Sequence, residues 1–319
     1  MVEENNHPLH QTRITALLKT TRPAFLLLTP CCLSVAVAFA IYEGIEIDPV
    51  NLTLIFLGAL SAHISVNMLN EFYDYKTGLD LQTQRTAFSG GSGTLPVSPE
   101  LAQSVLFGGL LCLVFTALIG LYFLWTIGWG LLPVGLSGML LVYFYSTQII
   151  RRPLLCLLAP GLGFGPLMIL GAYYILSNHY SFAVLMTSFI MLFVASNLLL
   201  LNQFPDLEPD RAAGRLHLPI LVGRKYAALV YVLFSVMAYV LLLLNVYLKL
   251  LPIYSLLGMF TLFLAIPAAI YALRFYDNIA RLIPALALNV ALTLSLPVLI
   301  SIGLIWQRLL TSELLSSSK

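Results

Sequence analysis

"NLTLIFLGALSAHISVNMLNEFYDYKTGLD", residues 51–80, joins an apolar run to a polar cluster. The apolar part, about 52–69, is long enough to cross a hydrocarbon core of about 30 Å as a helix. Within the next dozen residues the chain places four chemically distinctive side chains, Asn70, Glu71, Asp74 and Asp80. This stretch predicts a membrane-spanning helix that ends in a polar site at the membrane surface.

The same pattern occurs a second time, in "LNQFPDLEPDRAAG", which begins at Leu201. Both stretches have Leu-Asn, a Phe two places after the Asn and an Asp four places after it. Asn202 and Asp206 therefore correspond to Asn70 and Asp74. A polar cluster that recurs at the end of two apolar runs indicates an internal repeat with a shared task.

The composition indicates a membrane protein throughout. Of 319 residues, 60% are hydrophobic and 9% are charged, whereas soluble domains carry roughly 25% charged residues. Nine apolar runs of spanning length are present, at about 24–42, 52–69, 101–124, 126–145, 153–176, 181–202, 226–248, 251–273 and 282–306. Since backbone groups in lipid must be paired within the segment, and these runs lack strand-like alternation, we predict an all-α polytopic membrane bundle. The net charge of +2 gives no indication of a nucleic-acid partner.

The basic residues predict the orientation in the membrane. With a cytoplasmic N-terminus, only Lys249, Arg308 and Lys319 of the 16 Lys and Arg residues fall on the outer side, as the positive-inside rule requires. Both polar clusters then lie on the cytoplasmic face.

The repeat also predicts the organisation of the chain, as one domain over residues 1–319. We expect a cytoplasmic tail (1–22), two parallel four-helix repeats (about 23–150 and 151–281) and a ninth span (about 282–306). The two long loops, about 70–100 and 203–225, would face each other across a central cavity.

Helical spacing places the cluster residues on shared faces. Asn70 and Asp74 point the same way, with Asn67 and His63 deeper on the same stripe. In the second stretch Asn202, Asp206 and Asp210 are spaced by four residues, with Pro205 kinking or breaking the helix. Asp80 follows Gly78, so it must return to the site from a loop.

The four aspartates Asp74, Asp80, Asp206 and Asp210 would be costly at a membrane rim without a bound cation. Carboxylate oxygens suit Mg²⁺, which is commonly shared with substrate phosphates. The glycine-rich stretch "RTAFSGGSGTLP" (85–96) could present backbone amides to an anion, or could be a flexible connector. Candidate diphosphate-binding residues are Lys76, Arg85, Arg151, Arg211 and Arg215.

A family resemblance rests on these stretches. "NEFYDYKTGLD" and "NQFPDLEPDRAAGRLHLP" resemble the two aspartate-rich signatures of the UbiA superfamily of intramembrane prenyltransferases. Supporting stretches are "TRPAFLLL" (21–28), "YFYSTQIIRRP" (143–153) and "FGPLMILGAYY" (164–174). With "GGSGTLP", the last of these most resembles the branch that prenylates 1,4-dihydroxy-2-naphthoate for menaquinone.

The resemblance implies an Mg²⁺-dependent transfer of a polyprenyl group from its diphosphate to an aromatic acceptor, in a bacterial inner membrane. It implies two metal-binding clusters, Asn70, Asp74 and Asp80 in one and Asn202, Asp206 and Asp210 in the other, with Asp74, Asp206 and Asp210 catalytic. Glu71 stands where the family often has Asp, and is either a longer-armed ligand or a solvent-facing residue. Weaker candidates for the acceptor site or the wall around the reacting cation are Arg22, Asn67 and Tyr145.

Other interpretations stay open from the sequence. The same chemistry could serve 4-hydroxybenzoate, homogentisate, a chlorin or a haem. An ion-coupled transporter also has parallel repeats and acidic residues, although such acids usually lie inside a span. We expect His63 to bond a neighbouring helix, and His217 and Lys225 to be ordinary loop residues.

Overall fold

The computed structural model describes residues 12–81, 85–86 and 89–317, and every regular element within these ranges is helical. We number the nine long apolar helices as spans 1 to 9. Eight are long enough to cross a membrane, and span 4 (Trp129–Tyr145) is shorter. The others are Pro23–Glu43, Pro49–Lys76, Pro99–Thr126, Pro153–Ser177, Phe182–Asn202, Leu218–Tyr247, Ile253–Phe275 and Ile279–Leu314. The protein is an integral multi-pass membrane protein, and the predicted polytopic bundle is confirmed.

Several spans are made of more than one helical segment. Span 1 combines Pro23–Leu26 with Leu28–Glu43, and span 8 begins as a 3₁₀ helix, Ile253–Thr261. Span 5 contains a π-helical turn, Gly163–Leu167, between Pro153–Leu162 and Met168–Ser177. Short helices outside the spans are Arg13–Thr20, Leu79–Leu81, Thr94–Val97, Ile149–Arg151 and Leu207–Ala212.

The end of span 1 and the start of span 2 show how local sequence sets the helix boundaries. Pro49 occupies the first turn, where a missing N–H costs nothing, and the Asp48 carboxylate accepts from the Val50 N–H at 3.0 Å. Span 1 ends just before Gly44, whose φ of +77° closes the helix in the left-handed conformation. Such caps satisfy backbone groups that a helix leaves unpaired at its ends.

Small and polar residues join the spans where lipid supplies no hydrophobic driving force. A Cβ on Gly161 would stand 2.1 Å from the Leu192 carbonyl oxygen, so spans 5 and 6 pack backbone to backbone. The buried Tyr231 hydroxyl donates to Asn289 at 3.1 Å, and Asn197 donates to the Tyr231 carbonyl at 2.8 Å. Spans 6, 7 and 9 are therefore tied together by one hydrogen-bonded network.

The second polar stretch differs from a continuous helix. Span 6 ends at Asn202, residues 203–206 form a turn, and a new helix begins at Leu207. Pro205 has no N–H to continue the ladder, so Asp206 and Asp210 are not stacked below Asn202 on one helix. Span 7 begins at Leu218, earlier than its apolar run indicates, and is interrupted at Gly223 (φ +82°).

The predicted N-terminal tail is partly helical. Arg13–Thr20 packs through Ala16 and Thr20, and the Thr94 hydroxyl donates to the Ala16 carbonyl at 3.4 Å. The first eleven residues of the tail lie outside the described part of the chain. The helix packs at the end of the bundle where span 2 ends in Lys76, which we call the motif end.

Candidate active site

The two polar stretches meet in one cavity of about 420 Å³ at the motif end. All six predicted metal ligands line it: Asn70, Asp74, Asp80, Asn202, Asp206 and Asp210. Below them the wall is mostly apolar and follows span 2 from Asp74 to Leu54. At 1.5 Å per residue this is about 30 Å, so the cavity has a polar mouth and a deep apolar extension.

The first stretch forms the near side of the mouth. The Asn70 side-chain amide donates to the Asp74 carboxylate at 3.4 Å, as expected for residues one turn apart. The chain reverses at Gly78 (φ +78°) and brings Asp80 back on the short helix Leu79–Leu81. Burial raises the pKa of Asp80 to about 7, and the negative charges of Asp74 and Glu71 add to this effect.

The second stretch forms the far side, and Arg215 connects the two. One guanidinium nitrogen of Arg215 donates to Asp210 at 3.0 Å, and the other donates to Asp74. Asp210 also lies 2.7 Å from the His217 imidazole. Arg215 therefore links the two halves of the chain through its charged contacts with Asp74 and Asp210.

The mouth has donor atoms that fit a hard cation. Among the described residues, Asp80 Oδ2, Asn202 Oδ1 and Asp206 Oδ1 are buried without a hydrogen-bond partner. Burial, together with the charge of Asp210, raises the pKa of Asp206 to about 7. Unpaired buried acceptors of this kind are costly without a positive partner. Carboxylate and amide oxygens are the ligands of Mg²⁺, so these residues fit the metal.

The donors do not form a site complete in itself. Within the described ranges, no three His, Cys, Asp or Glu side chains are grouped closely enough to hold a metal. Mg²⁺ usually keeps waters and binds through one or two carboxylates and substrate phosphates. The arrangement therefore suits a metal that arrives with a phosphate ester.

Glu71 does not face solvent, so that alternative from the sequence is wrong. Its side chain is fully buried, and it accepts hydrogen bonds from the Ser92 N–H at 3.0 Å and from the Ser92 hydroxyl. Arg22 also pairs with it, at 3.4 Å. Because no sequence signal reports which way a residue beside the helix stripe turns, only the fold reveals this contact.

The glycine-rich loop lies directly against the acids. Gly91 has a φ of +70°, and a Cβ there would stand 3.1 Å from Asp80 Oδ1. Glu71 fixes the neighbouring Ser92, so residues 89–93 form part of the mouth. Ser89, Gly90 and Gly91 all line the cavity.

The predicted basic residues divide into two groups. Arg215 lines the cavity, as does Arg22, whose guanidinium donates to the Asn70 side-chain oxygen at 3.2 Å. The other four are exposed and are not part of the cavity lining: Lys76, Arg85, Arg151 and Arg211. Lys76 lies 6.0 Å from the Phe72 ring, and Arg211 pairs with Glu208 at 3.3 Å.

Three further residues from the sequence lie on the cavity wall: Asn67, Tyr145 and His63. Asn67 donates to the Thr21 carbonyl at 2.8 Å, and His63 bonds Thr29 of span 1 at 2.9 Å. The neighbour-helix bond expected for His63 is therefore confirmed.

His217 is a site residue that the sequence reasoning missed. It is 2% exposed, lines the cavity and contacts Asp210, so its interpretation as an ordinary loop residue is wrong. No local signal in the sequence marks it, because its burial depends on the turn that brings it back to Asp210. Lys225 is exposed but lies within span 7 rather than in a loop.

The fold and the cavity define an integral membrane protein with one polar site assembled from two repeated Asn/Asp motifs. Residues 31–291 match the model of the UbiA prenyltransferase family. The chain belongs to this family, and the protein is a prenyltransferase.

Two curated relatives are distant in sequence. The 1,4-dihydroxy-2-naphthoate octaprenyltransferase of Bacillus subtilis (strain 168) is 28% identical over 187 residues, 57% of this chain and 58% of that protein. The chain therefore matches less than two thirds of that relative's length. UbiA prenyltransferase domain-containing protein 1 of Dictyostelium discoideum is 26% identical over 234 residues, 72% of this chain and 70% of that protein.

Solved structures share the fold. A UbiA homologue from Archaeoglobus fulgidus bound to DMAPP and Mg²⁺ aligns with a TM-score of 0.64 and 17% identity, covering 91% of this chain and 98% of that one. An apo UbiA homologue from Aeropyrum pernix K1 aligns with a TM-score of 0.61 and 17% identity, covering 89% and 98%. At these identities the likeness concerns architecture alone.

Proposed function

We propose that the protein transfers a polyprenyl group from its diphosphate to 1,4-dihydroxy-2-naphthoate, with Mg²⁺ as cofactor. The observation that carries this proposal is that unpartnered buried oxygens of Asp80, Asn202 and Asp206 all belong to residues that line one cavity. The naphthoate acceptor is supported by the name of the Bacillus subtilis relative. The metal is supported by the Archaeoglobus fulgidus homologue bound to DMAPP and Mg²⁺.

The two ends of the cavity suit the two ends of the donor. The mouth offers carboxylate and amide oxygens for a metal-bound diphosphate, and Arg22 and Arg215 offset its remaining negative charge. The mostly apolar extension from Asn70 to Leu54, about 24 Å along span 2, suits an isoprenoid tail. Asp74, Asp206 and Asp210 are the proposed catalytic carboxylates, because they would hold Mg²⁺ beside the leaving diphosphate.

The proposed mechanism assigns a task to each wall. Bound Mg²⁺ would supply a Lewis acid that draws negative charge from the diphosphate as the allylic C–O bond breaks. Arg22 and Arg215 are preorganised donors beside that developing charge. The apolar wall keeps water from the allylic cation, so the electron-rich ring of the acceptor attacks it. The new C–C bond replaces the C–O bond to the departing diphosphate, and the naphthoate loses its carboxylate as CO2 as its ring becomes aromatic again. Tyr145 and Asn67 line the wall close to this point.

The proposed location is a bacterial inner membrane, with the N-terminus and the motif end on the cytoplasmic side. The distribution of Lys and Arg supports this orientation. The exposed residues Lys76, Arg151 and Arg211 would then serve orientation, or receive the donor before it enters the mouth. The transporter alternative is set aside, because the chain belongs to a family of enzymes.

An assay of membranes containing the protein tests this function. Radiolabelled polyprenyl diphosphate is offered with 1,4-dihydroxy-2-naphthoate, 4-hydroxybenzoate and homogentisate in turn. We expect a labelled naphthoquinol product that disappears with EDTA and returns with Mg²⁺. Product from 4-hydroxybenzoate alone would replace the acceptor assignment, and full turnover in EDTA would exclude the metal.

A further inference from the structure

His63 is a buried polar residue deep in the cavity that the proposed mechanism does not use. It lies on span 2, seven residues before Asn70, which places it about 10 Å below the mouth. Its side chain is 7% exposed and lines the cavity. An imidazole at this depth is costly unless both ring nitrogens find partners.

Only one of the two ring nitrogens has a partner in the described part of the chain. Nδ1 lies 2.9 Å from the hydroxyl of Thr29, a fully buried residue of span 1. This bond fixes the plane of the ring. Nε2 has no hydrogen bond to any described residue and is not sealed off as a buried unpartnered atom. It is the ring nitrogen that a molecule in the cavity can reach.

The wall beside His63 is aromatic. The Phe164 ring meets the imidazole edge to face, with centroids 4.8 Å apart and an interplanar angle of 71°. Phe164 belongs to the π-helical turn Gly163–Leu167 of span 5, and it also lines the cavity. Single π turns inside α-helices frequently occur at functional sites. A polar atom flanked by an aromatic surface suits a flat ring that carries a polar substituent.

The depth of His63 matches the expected place of the acceptor. If the diphosphate is held among Asn70, Asp74 and Asp206, the allylic carbon bonded to it lies one or two helical turns deeper. That is the level of Asn67 and His63. The other protonatable side chains of the lining, apart from Tyr145 and Cys156, belong to the charged cluster at the mouth.

We propose that His63 binds the aromatic acceptor, with Nε2 accepting a hydrogen bond from a ring hydroxyl. This inference rests on the proposed function and assigns to the site a hydroxylated aromatic ring. With Nδ1–H donating to Thr29, Nε2 is left as the acceptor, and this is the tautomer that the contact requires. A hydroxyl that donates to nitrogen enriches its ring in electrons, so the same contact orients the acceptor and favours its attack on the allylic cation.

The test compares two His63 variants with three acceptors. His63→Phe and His63→Gln are assayed with 1,4-dihydroxy-2-naphthoate, 1-hydroxy-2-naphthoate and 4-hydroxy-2-naphthoate. Losing a hydrogen bond in a buried site costs about 10- to 100-fold, so kcat/KM of His63→Phe for the dihydroxy acceptor should fall by that factor. For the analogue that lacks the bonded hydroxyl, wild type and His63→Phe should be equal. His63→Gln keeps an acceptor atom, so its kcat/KM for the dihydroxy acceptor should lie between the values of wild type and His63→Phe.

Two controls separate binding from structure. His179→Phe changes an exposed histidine outside the cavity and should leave kcat/KM unchanged. The KM for the polyprenyl donor should be the same in wild type and in His63→Phe. An equal fall with all three acceptors, or a raised donor KM, would show a structural role and overturn the inference. If wild type converts no hydroxylated aromatic compound, the proposed function itself fails and the inference falls with it.

Discussion

At the scale of single residues, Arg215 is the side chain that joins the two polar stretches into one site. Its guanidinium contacts Asp74 from the first half of the chain and Asp210 from the second, and its side chain is 16% exposed. Two carboxylates so close together need a cation between them. Arg215 supplies one, so the protein holds the motifs in place before a metal and donor are bound.

The first residue-scale prediction concerns the equivalence of Asp74 and Asp206. Asp74→Asn and Asp206→Asn should each lower turnover by at least about 10²-fold, the usual effect of removing a transition-state contact. The double variant should be far less than multiplicative, because both residues act on one leaving group. Initial rates with labelled donor measure this.

Glu208→Gln is the matched control, since Glu208 is exposed and its one ion pair with a described residue is to Arg211. Its rate should equal that of wild type. Near-normal turnover in Asp206→Asn would remove the second motif from the proposed site.

The second prediction tests whether Glu71 positions Arg22 and the loop at Ser92 or instead binds the metal directly. Glu71→Gln weakens the charged contacts to Arg22 and Ser92 without changing the size of the side chain. A hydrogen bond to a charged group contributes about 1.5–3 kcal/mol, so the KM for the donor should rise about 10- to 100-fold, with a smaller change in kcat. The concentration of Mg²⁺ needed for half-maximal rate should stay within about threefold of wild type. A collapse of kcat like that of Asp74→Asn would instead make Glu71 a ligand.

Helical periodicity explains which residue contacts could be predicted. Asn70 and Asp74 share a face because they are one turn apart, and their hydrogen bond follows directly from the sequence. Glu71 and His217 could not be placed, because their burial depends on a loop and on a turn from elsewhere in the chain. The sequence predicts Lys76 as a diphosphate ligand, but basic residues at a membrane surface also set orientation, and sequence does not separate the two uses.

At the scale of elements, the glycine loop 89–93 is a segment where one added methyl group would press on an acid of the site. Gly91→Ala places a Cβ in a left-handed conformation and against the Asp80 carboxylate. We expect a fall in kcat/KM of at least about tenfold, because the added Cβ displaces the Asp80 carboxylate or the loop, and misplacing a site group by about 1 Å can cost about 10²-fold.

Gly214→Ala is the matched control for this element. Gly214 also has a positive φ (+74°), but no atom lies within 4 Å of its added Cβ. Its variant should show the backbone effect alone, as lower thermal stability with a smaller loss of kcat/KM. Equal losses of kcat/KM in both variants would show that the contact of the loop with Asp80 is unimportant. Thermal stability in detergent and initial rates measure the two effects.

The number and approximate positions of the spans could be predicted from the lengths of the apolar runs. The places where a helix is interrupted, and the kind of interruption, could not. Pro205 correctly indicated a break, but the new helix at Leu207 and the turn between them depend on packing. The π turn in span 5 contains Pro166, and a proline alone does not specify which kind of interruption forms. Span 4 is shorter than its apolar run indicated because the chain around Gly128 adopts a non-helical turn.

At the scale of the whole molecule, the predicted parallel repeat implies that both motif stretches lie on the same side of the membrane. Single cysteines at Lys76 and Arg211, both exposed and one in each motif stretch, should react with a membrane-impermeant maleimide from the same side. A cysteine at the exposed Glu46 should react only from the other side. The background needs Cys31, Cys32, Cys112 and Cys156 replaced, since all are free thiols.

Reaction at Lys76 and Arg211 from opposite sides would contradict the parallel arrangement. Reaction of both from the outside of intact cells would reverse the proposed orientation while leaving the repeat intact.

The apolar depth of the cavity has a consequence for handling the protein outside its membrane. The deep wall of the 420 Å³ cavity is mostly apolar, and an apolar space offers water few hydrogen-bond partners. We therefore expect an acyl chain or another apolar molecule to occupy the deep part of the cavity in the absence of substrate. Native mass spectrometry of the protein purified in mild detergent should show the added mass of such a bound molecule. Harsh delipidation should lower the melting temperature, and adding back a long-chain lipid should restore it.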